Sequence, residues 1–155
     1  MNEGPRSSTP QAVLFACGLN SIRSPMAMGL FRQMFGKNVY VGSAGVRKGE
    51  PDPFAIAAME EIGIDMTKHR PQTFEELDEW EGLNFDLIVT LSPEAHHRAL
   101  DLTRTVAADV EYWPTPDPSG AGGNREQVLD AYRDVRDQLM KRIRDRFGGR
   151  RSGNE

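Results

Sequence analysis

The strongest constraint in this chain is an order: short apolar runs alternate with amphipathic stretches from residue 12 to residue 147. Parallel strands linked by helices produce that order, because a parallel strand must be followed by a long crossover before the next one can pair. The expected fold is therefore α/β, a parallel sheet with helices on both faces. Strands are expected at 12–16, 39–43, 86–91 and 110–113. Three helices should start where a capping side chain precedes a proline, at Ser24-Pro25, Asp52-Pro53 and Ser92-Pro93. The last helix opens with Asn124 and Gln127 in capping-box spacing. It then carries Val128, Tyr132, Val135, Leu139, Ile143 and Phe147 at steps of three or four, a single buried stripe. A further short helix is expected near 73–80, acidic and exposed.

Composition sets outer bounds. At 155 residues the chain fits one domain, and 38% hydrophobic residues suffice for a core. A net charge of −4 gives no excess of cations to draw the molecule onto nucleic acid. No apolar run approaches the ~20 residues needed to cross a bilayer, and 1–11 contains no signal-peptide core. The expected organisation is a disordered lead-in over 1–11, one domain over 12–147 and a flexible glycine-rich tail over 148–155, in a cytoplasmic protein that engages no membrane. The chain has one cysteine, Cys17, so it forms no internal disulfide and no cysteine-only metal site.

That cysteine ends the first expected strand. Gly18, Leu19, Asn20, Ser21 and Ile22 follow, then Arg23, Ser24 and a helix start. A lone cysteine at a strand end is most often a small buried hydrophobe. Finding arginine six residues on, with a hydroxyl residue next, has on the order of one chance in a hundred from ordinary composition. The arrangement also makes chemical sense. A loop wrapped at a helix N-terminus offers unpaired N–H groups to a tetrahedral oxyanion. The same field, with an arginine beside it, favours thiolate over thiol and so a nucleophile. The Arg23 fork can take two phosphoryl oxygens together. Ser24 can hydrogen-bond the sulfur when it leaves. Phosphoryl transfer further needs a proton donor for the leaving oxygen. The candidate is Asp117, in the proline-stiffened turn Pro114-Thr115-Pro116-Asp117-Pro118 that precedes a glycine-rich hinge. Loops at the carboxyl ends of parallel strands converge on one crevice, which puts this acid and the cysteine loop together.

The stretches VLFACGLNSIRSPMA, VGSAGV, GIDMTKHRP, FDLIVTL and PDP resemble, in order, the low-molecular-weight protein tyrosine phosphatases and the arsenate reductases that share their fold. The resemblance implies a four-stranded parallel sheet with a phosphate-binding loop after the first strand. It implies a two-step reaction in which thiolate attack gives a phosphocysteine that water then hydrolyses. It assigns Cys17 as nucleophile, Arg23 as phosphate ligand and Asp117 as general acid, with residues 18–24 as the phosphate-binding loop. Ser24 becomes the hydroxyl beside the thiolate, and Asn20, Ser43 and His69 a supporting hydrogen-bond network. Phosphorylated proteins or small phosphomonoesters are the implied substrates, phosphate or a similar oxyanion the implied ligand, with no metal and no cofactor.

Three departures from the family pattern stand out. Leu19 occupies a position where the family has glycine, a residue far more tolerant of positive φ. Ser119 and Gly120 follow Asp117-Pro118 where the family has aromatics that wall an aryl slot. Ser92 lies close to where thioredoxin-coupled arsenate reductases carry a second cysteine. Two alternatives to hydrolysis follow: an arsenate reductase that uses an external thiol, and a non-catalytic phosphate or phosphoprotein binder. His96 and His97 are adjacent on a helix and point about 100° apart, so they cannot share a metal; a solvated face is expected for them. The oligomeric state is not legible in the sequence.

Overall fold

The structure, a computed structural model, describes residues 10–148. Strands β1 (Ala12–Cys17), β2 (Tyr40–Gly45), β3 (Leu87–Thr90) and β4 (Asp109–Tyr112) form one four-stranded sheet in the order β2-β1-β3-β4. All three pairings are parallel. The helices are α1 (Arg23–Phe35), α2 (Pro53–Glu60), α3 (Phe74–Trp80), α4 (Pro93–Leu102) and α5 (Arg125–Ile143).

β1 is central and buried on both faces, which is why it reads as an unbroken apolar run. One face packs Val13 and Phe15 against Met26, Leu30 and Phe31 of α1, Met59 of α2, and Tyr132, Val135 and Leu139 of α5. The other packs Leu14 and Ala16 against Phe74 and Leu77 of α3 and Ala95 and Ala99 of α4. The chain leaves β1 to one side for β2 and then crosses to the other side for β3. The carboxyl end of β1 is thus the topological switch point, where crevices form in doubly wound sheets. At the opposite end, the Asp86 carboxylate accepts the N–H groups of Gln11 and Ala12 at 3.0 and 2.8 Å, fixing where β1 begins.

Most helix starts follow the sequence signals. Asp52 accepts from the N–H groups of Phe54 and Ala55, Ser92 caps α4, and Asn124 with Gln127 forms a reciprocal box on α5. Ser24 departs from expectation. The first turn of α1 begins at Arg23 after Ile22, no side chain caps it, and Ser24 lies inside the helix with its hydroxyl turned toward Cys17. The short helix near 73–80 is capped by a Thr73–Glu76 box and is only half exposed, since Phe74 and Leu77 are buried. His96 also departs from a purely solvated face: it is half-buried, stacks on Tyr112 at 4.6 Å and bonds the Thr90 hydroxyl at 3.0 Å, whereas His97 is exposed.

α5 gives way at Arg144 to one π-helical turn, Arg144–Gly148. Widening the turn brings Phe147 inward, edge-on to Phe31 with ring centroids 4.9 Å apart and 6.2 Å from Trp113. The Arg146 guanidinium meets the Glu111 carboxylate of β4 through both oxygens. Of the expected lead-in, 1–9 lies outside the described residues, while Gln11 is tied to Asp86. Of the expected tail, 149–155 lies outside them, and Gly148 closes the π turn. Among the described residues no helix is long and apolar enough to cross a membrane.

Phe147 closes the aromatic cluster from the last described turn, so Phe147→Ala should lower unfolding free energy by about 3–5 kcal/mol, read from the midpoint shift in urea. A loss below about 1 kcal/mol would mean that the π turn is not part of the core.

Candidate active site

The loop from Cys17 to Arg23 occupies the switch point. Its carbonyl oxygens are engaged from outside. Val46 donates to Cys17 O at 3.3 Å, Arg47 to Gly18 O at 2.9 Å and Gly49 to Leu19 O at 3.0 Å, so the chain after β2 zips along the loop. His69 Nε2 lies 2.9 Å from Asn20 O. A carbonyl can only accept, which fixes the hydrogen of this imidazole on Nε2. Among the described residues, the N–H groups of 18–22 have no protein acceptor. Unpaired N–H groups around buried Gly18, Asn20 and Ser21 are costly unless water or an anion satisfies them.

Close approach requires glycine at Gly45, where backbone atoms crowd it, and favours glycine at Gly49, where side chains do. A Cβ on Gly45 would lie 2.8 Å from Asn20 N, and one on Gly49 would lie 2.5 Å from Ser21 Oγ. The positive φ falls on Asn20, at 57°, the one non-glycine among the described residues in that region. Leu19 therefore bears no left-handed strain. Asparagine is among the few residues that tolerate this conformation, and its side chain holds it there.

The Asn20 amide is oriented by partners that leave no choice. Gln72 N can only donate, so the atom it meets at 2.9 Å is Oδ1. Nδ2 then donates to Ser24 Oγ at 2.8 Å and to Ser43 Oγ at 3.0 Å. Since Ser24 Oγ accepts from Asn20, its own hydrogen is free for Cys17 Sγ, 3.0 Å away. Ser24 N also donates to that sulfur at 3.4 Å. The expected supporting network of Asn20, Ser24, Ser43 and His69 is thus brought together. Gln72 joins it, donating further through Nε2 to Ser43 O at 3.1 Å. Burial lowers the His69 pKa, helped by Arg32 and Arg70 and opposed by the bond to Asn20. The ring accordingly stays neutral at pH 7.

Arg23 is mostly buried and donates to Thr115 O at 2.9 Å, with its other terminal nitrogen 3.9 Å from Asp117 Oδ2. That loose contact to a half-exposed carboxylate supplies orientation more than energy. Asp117 Oδ1 accepts from Ser119 N at 2.9 Å and caps the 3₁₀ turn Pro118–Gly120. Burial pushes the Asp117 carboxyl up, but the Ser119 hydrogen bonds and the Arg23 charge outweigh it and leave it below the usual value.

Cys17, Leu19, Ser21, Ile22, Arg23, Glu50, Asp52, Asp117 and Ser119 line one cavity of about 160 Å³. Nothing aromatic lines it. Glu50, Asp52 and Gln72 were not singled out as site residues. Gln72 carries no sequence signal, but the GEPDP stretch, with its two acids, could have drawn attention to the first two. Among the described residues no cluster of His, Cys, Asp or Glu is placed to hold a metal ion.

Fold and site together define an α/β domain with a cysteine–arginine loop at its switch point. The chain belongs to the low molecular weight phosphotyrosine protein phosphatase family, whose model matches residues 12–148. An arsenate reductase of Halalkalibacterium halodurans is 35% identical over 136 residues, covering 86% of this chain and 93% of that one. A solved arsenate reductase in the phosphate-binding state superposes with a TM-score of 0.66 at 29% identity, over 87% of this chain and 95% of that one. The arginine phosphatase YwlE of Bacillus subtilis, with a phosphorylated active-site serine, gives a TM-score of 0.67 at 27% identity, over 86% and 91% of the two chains.

The φ values make two variants informative. Asn20→Ala puts a Cβ-bearing residue without a holding side chain at positive φ, at a cost of about 1–2 kcal/mol, and removes several buried hydrogen bonds worth about 1 kcal/mol each. It should weaken inorganic phosphate binding more than tenfold. Leu19→Gly relieves no strain and should stay within about threefold of the parent. Titration followed by ³¹P or amide NMR measures both; tenfold tighter binding by Leu19→Gly would show that leucine distorts the loop.

Proposed function

We propose that the chain is a phosphomonoester hydrolase of the protein-tyrosine-phosphatase type, acting through a phosphocysteine on Cys17. The observation that carries this reading is the loop itself: among the described residues five successive N–H groups have no protein partner, and the Arg23 guanidinium lines one cavity with the Cys17 sulfur, which lies 3.0 Å from the Ser24 hydroxyl.

In the first step the Cys17 thiolate attacks phosphorus in line, a P–S bond forms and the P–O bond to the leaving group breaks. The loop N–H groups and Arg23 bind the equatorial oxygens, whose charge is spread in the transition state. Asp117 gives its proton to the departing oxygen. In the second step water attacks the phosphocysteine, Asp117 takes the proton from that water, and the sulfur leaves as thiolate stabilised by the Ser24 hydroxyl. Asn20, Ser43, His69 and Gln72 touch no reacting atom in this scheme; they position the loop.

The second reading is arsenate reduction, favoured by the names of relatives at 30% identity and above, which include arsenate reductases from several bacteria. Arsenate shares the shape and charge of phosphate, so the same loop fits both. With one cysteine in the chain, an arseno-cysteine would be resolved by external thiols: one attacks the Cys17 sulfur, forming a mixed disulfide as arsenic leaves with the electron pair as arsenite, and a second frees Cys17 and leaves the two external thiols as a disulfide.

Cys17→Ser should abolish turnover of aryl phosphates while keeping phosphate binding. Asp117→Asn should slow alkyl phosphates, which are poor leaving groups, by about 100-fold or more, and activated aryl phosphates much less. Hydrolysis should fall as pH rises and Asp117 loses its proton. Ser119→Ala, by removing a hydrogen bond that holds this carboxylate ionised, should move the falling limb to higher pH. Full turnover by Cys17→Ser would refute the mechanism. Arsenate reduction with a supplied thiol, without phosphate-ester hydrolysis, would select the second reading, and tight phosphate binding with neither activity would mark a binding protein.

A further inference from the structure

The cavity rim above the loop has an unusual balance of charge. Three carboxylates line it, from Glu50, Asp52 and Asp117. Two of them are already engaged. Asp52 spends one oxygen capping α2 and the other on the Tyr132 hydroxyl at 3.0 Å, and Asp117 caps its own turn. Glu50 is exposed and, among the described residues, makes no hydrogen bond or ion pair. The backbone just before it is anchored, because Gly49 N donates to Leu19 O at 3.0 Å.

The nearby cations are committed elsewhere. Arg47 pairs with Glu94 and Lys48 with Glu76 at 2.8 Å, and neither cation lines the cavity. Arg125 stacks over Phe54 at 5.4 Å, outside the cavity lining. Arg23 lines the cavity together with Cys17. A phosphorylated substrate therefore meets positive groups where its phosphoryl sits and negative ones where its remainder must pass. With no aromatic in the lining, stacking cannot supply the selectivity that a walled slot would.

From this juxtaposition we infer that Glu50 is a specificity-determining residue that selects phosphorylated peptide segments carrying Lys or Arg beside the phosphorylated residue over segments carrying Asp or Glu there. The inference rests on the hydrolase reading for its kinetic form, but the underlying charge preference does not require turnover. An exposed ion pair of this kind is worth about 1 kcal/mol at most, so the effect is a ratio of several-fold and is weakened by salt.

The test compares two phosphotyrosine peptides of equal length, flanked by lysines or by glutamates, in low-salt buffer. The parent protein should show kcat/KM about fivefold higher for the lysine peptide. Glu50→Gln should shrink that ratio at least threefold, and Glu50→Lys should invert it. Because each protein is compared with itself on two peptides, a general loss of activity or of folded fraction cancels. The same ratios are measured as dissociation constants with non-hydrolysable phosphonate versions of both peptides. If neither peptide is turned over, hydrolysis of phosphotyrosine fails as a reading while the binding ratios still decide the role of Glu50. Equal ratios for the parent and Glu50→Gln in binding and turnover overturn the inference.

Discussion

The loop at the end of β1 is held through its carbonyl oxygens. Val46, Arg47 and Gly49 take three in succession and His69 takes a fourth, so the polar demand that remains belongs to the N–H groups. This depends on the parallel pairing of β1 with β2, because the register Cys17 with Gly45 delivers the chain after β2 alongside the loop at the right height. Slip the register by one residue and the donors would meet the wrong carbonyls, while the side chains of the two cores would exchange faces. The loop's pattern of engaged carbonyls is thus a property of the sheet as much as of the loop's own residues.

The left-handed turn at Asn20 is the second element of this design. Its side chain joins α1, β2 and the segment after α2 through Ser24, Ser43 and Gln72, and the backbone joins His69. Such a conformation is disfavoured for a residue with a Cβ and persists because the surroundings over-determine it. The same bonds leave the Ser24 hydrogen free to point at the sulfur. A conformational constraint and a chemical orientation therefore come from one amide group.

The parts that were legible in the sequence are those governed by local rules. Strands buried on both faces read as apolar runs, Asp52 and Ser92 announced their helices, and the Asn124–Gln127 spacing announced α5. Ser24 misled for a physical reason: an Ser-Pro pair at a helix start has the chemistry of a cap, but a buried sulfur and the Asn20 amide claimed the hydroxyl. Gln72 gave no warning because its contacts are made mainly by backbone atoms of residues far away in the chain. The tight approaches at Gly45 and Gly49 were equally hidden, since a glycine looks the same whether it serves a turn or makes room for a neighbouring strand. His96 found a ring to stack on only once α4 had docked beside β4.

Cys17 is the one thiol of the chain and sits almost wholly buried in the lining of the cavity at the switch point. The molecule therefore carries a built-in gauge. Sulfhydryl stoichiometry, which in most proteins sums over many sites, here counts a single loop. Whatever fills the cradle subtracts from that count, so ligand occupancy, oxidation state and the intactness of the site are all written on one atom.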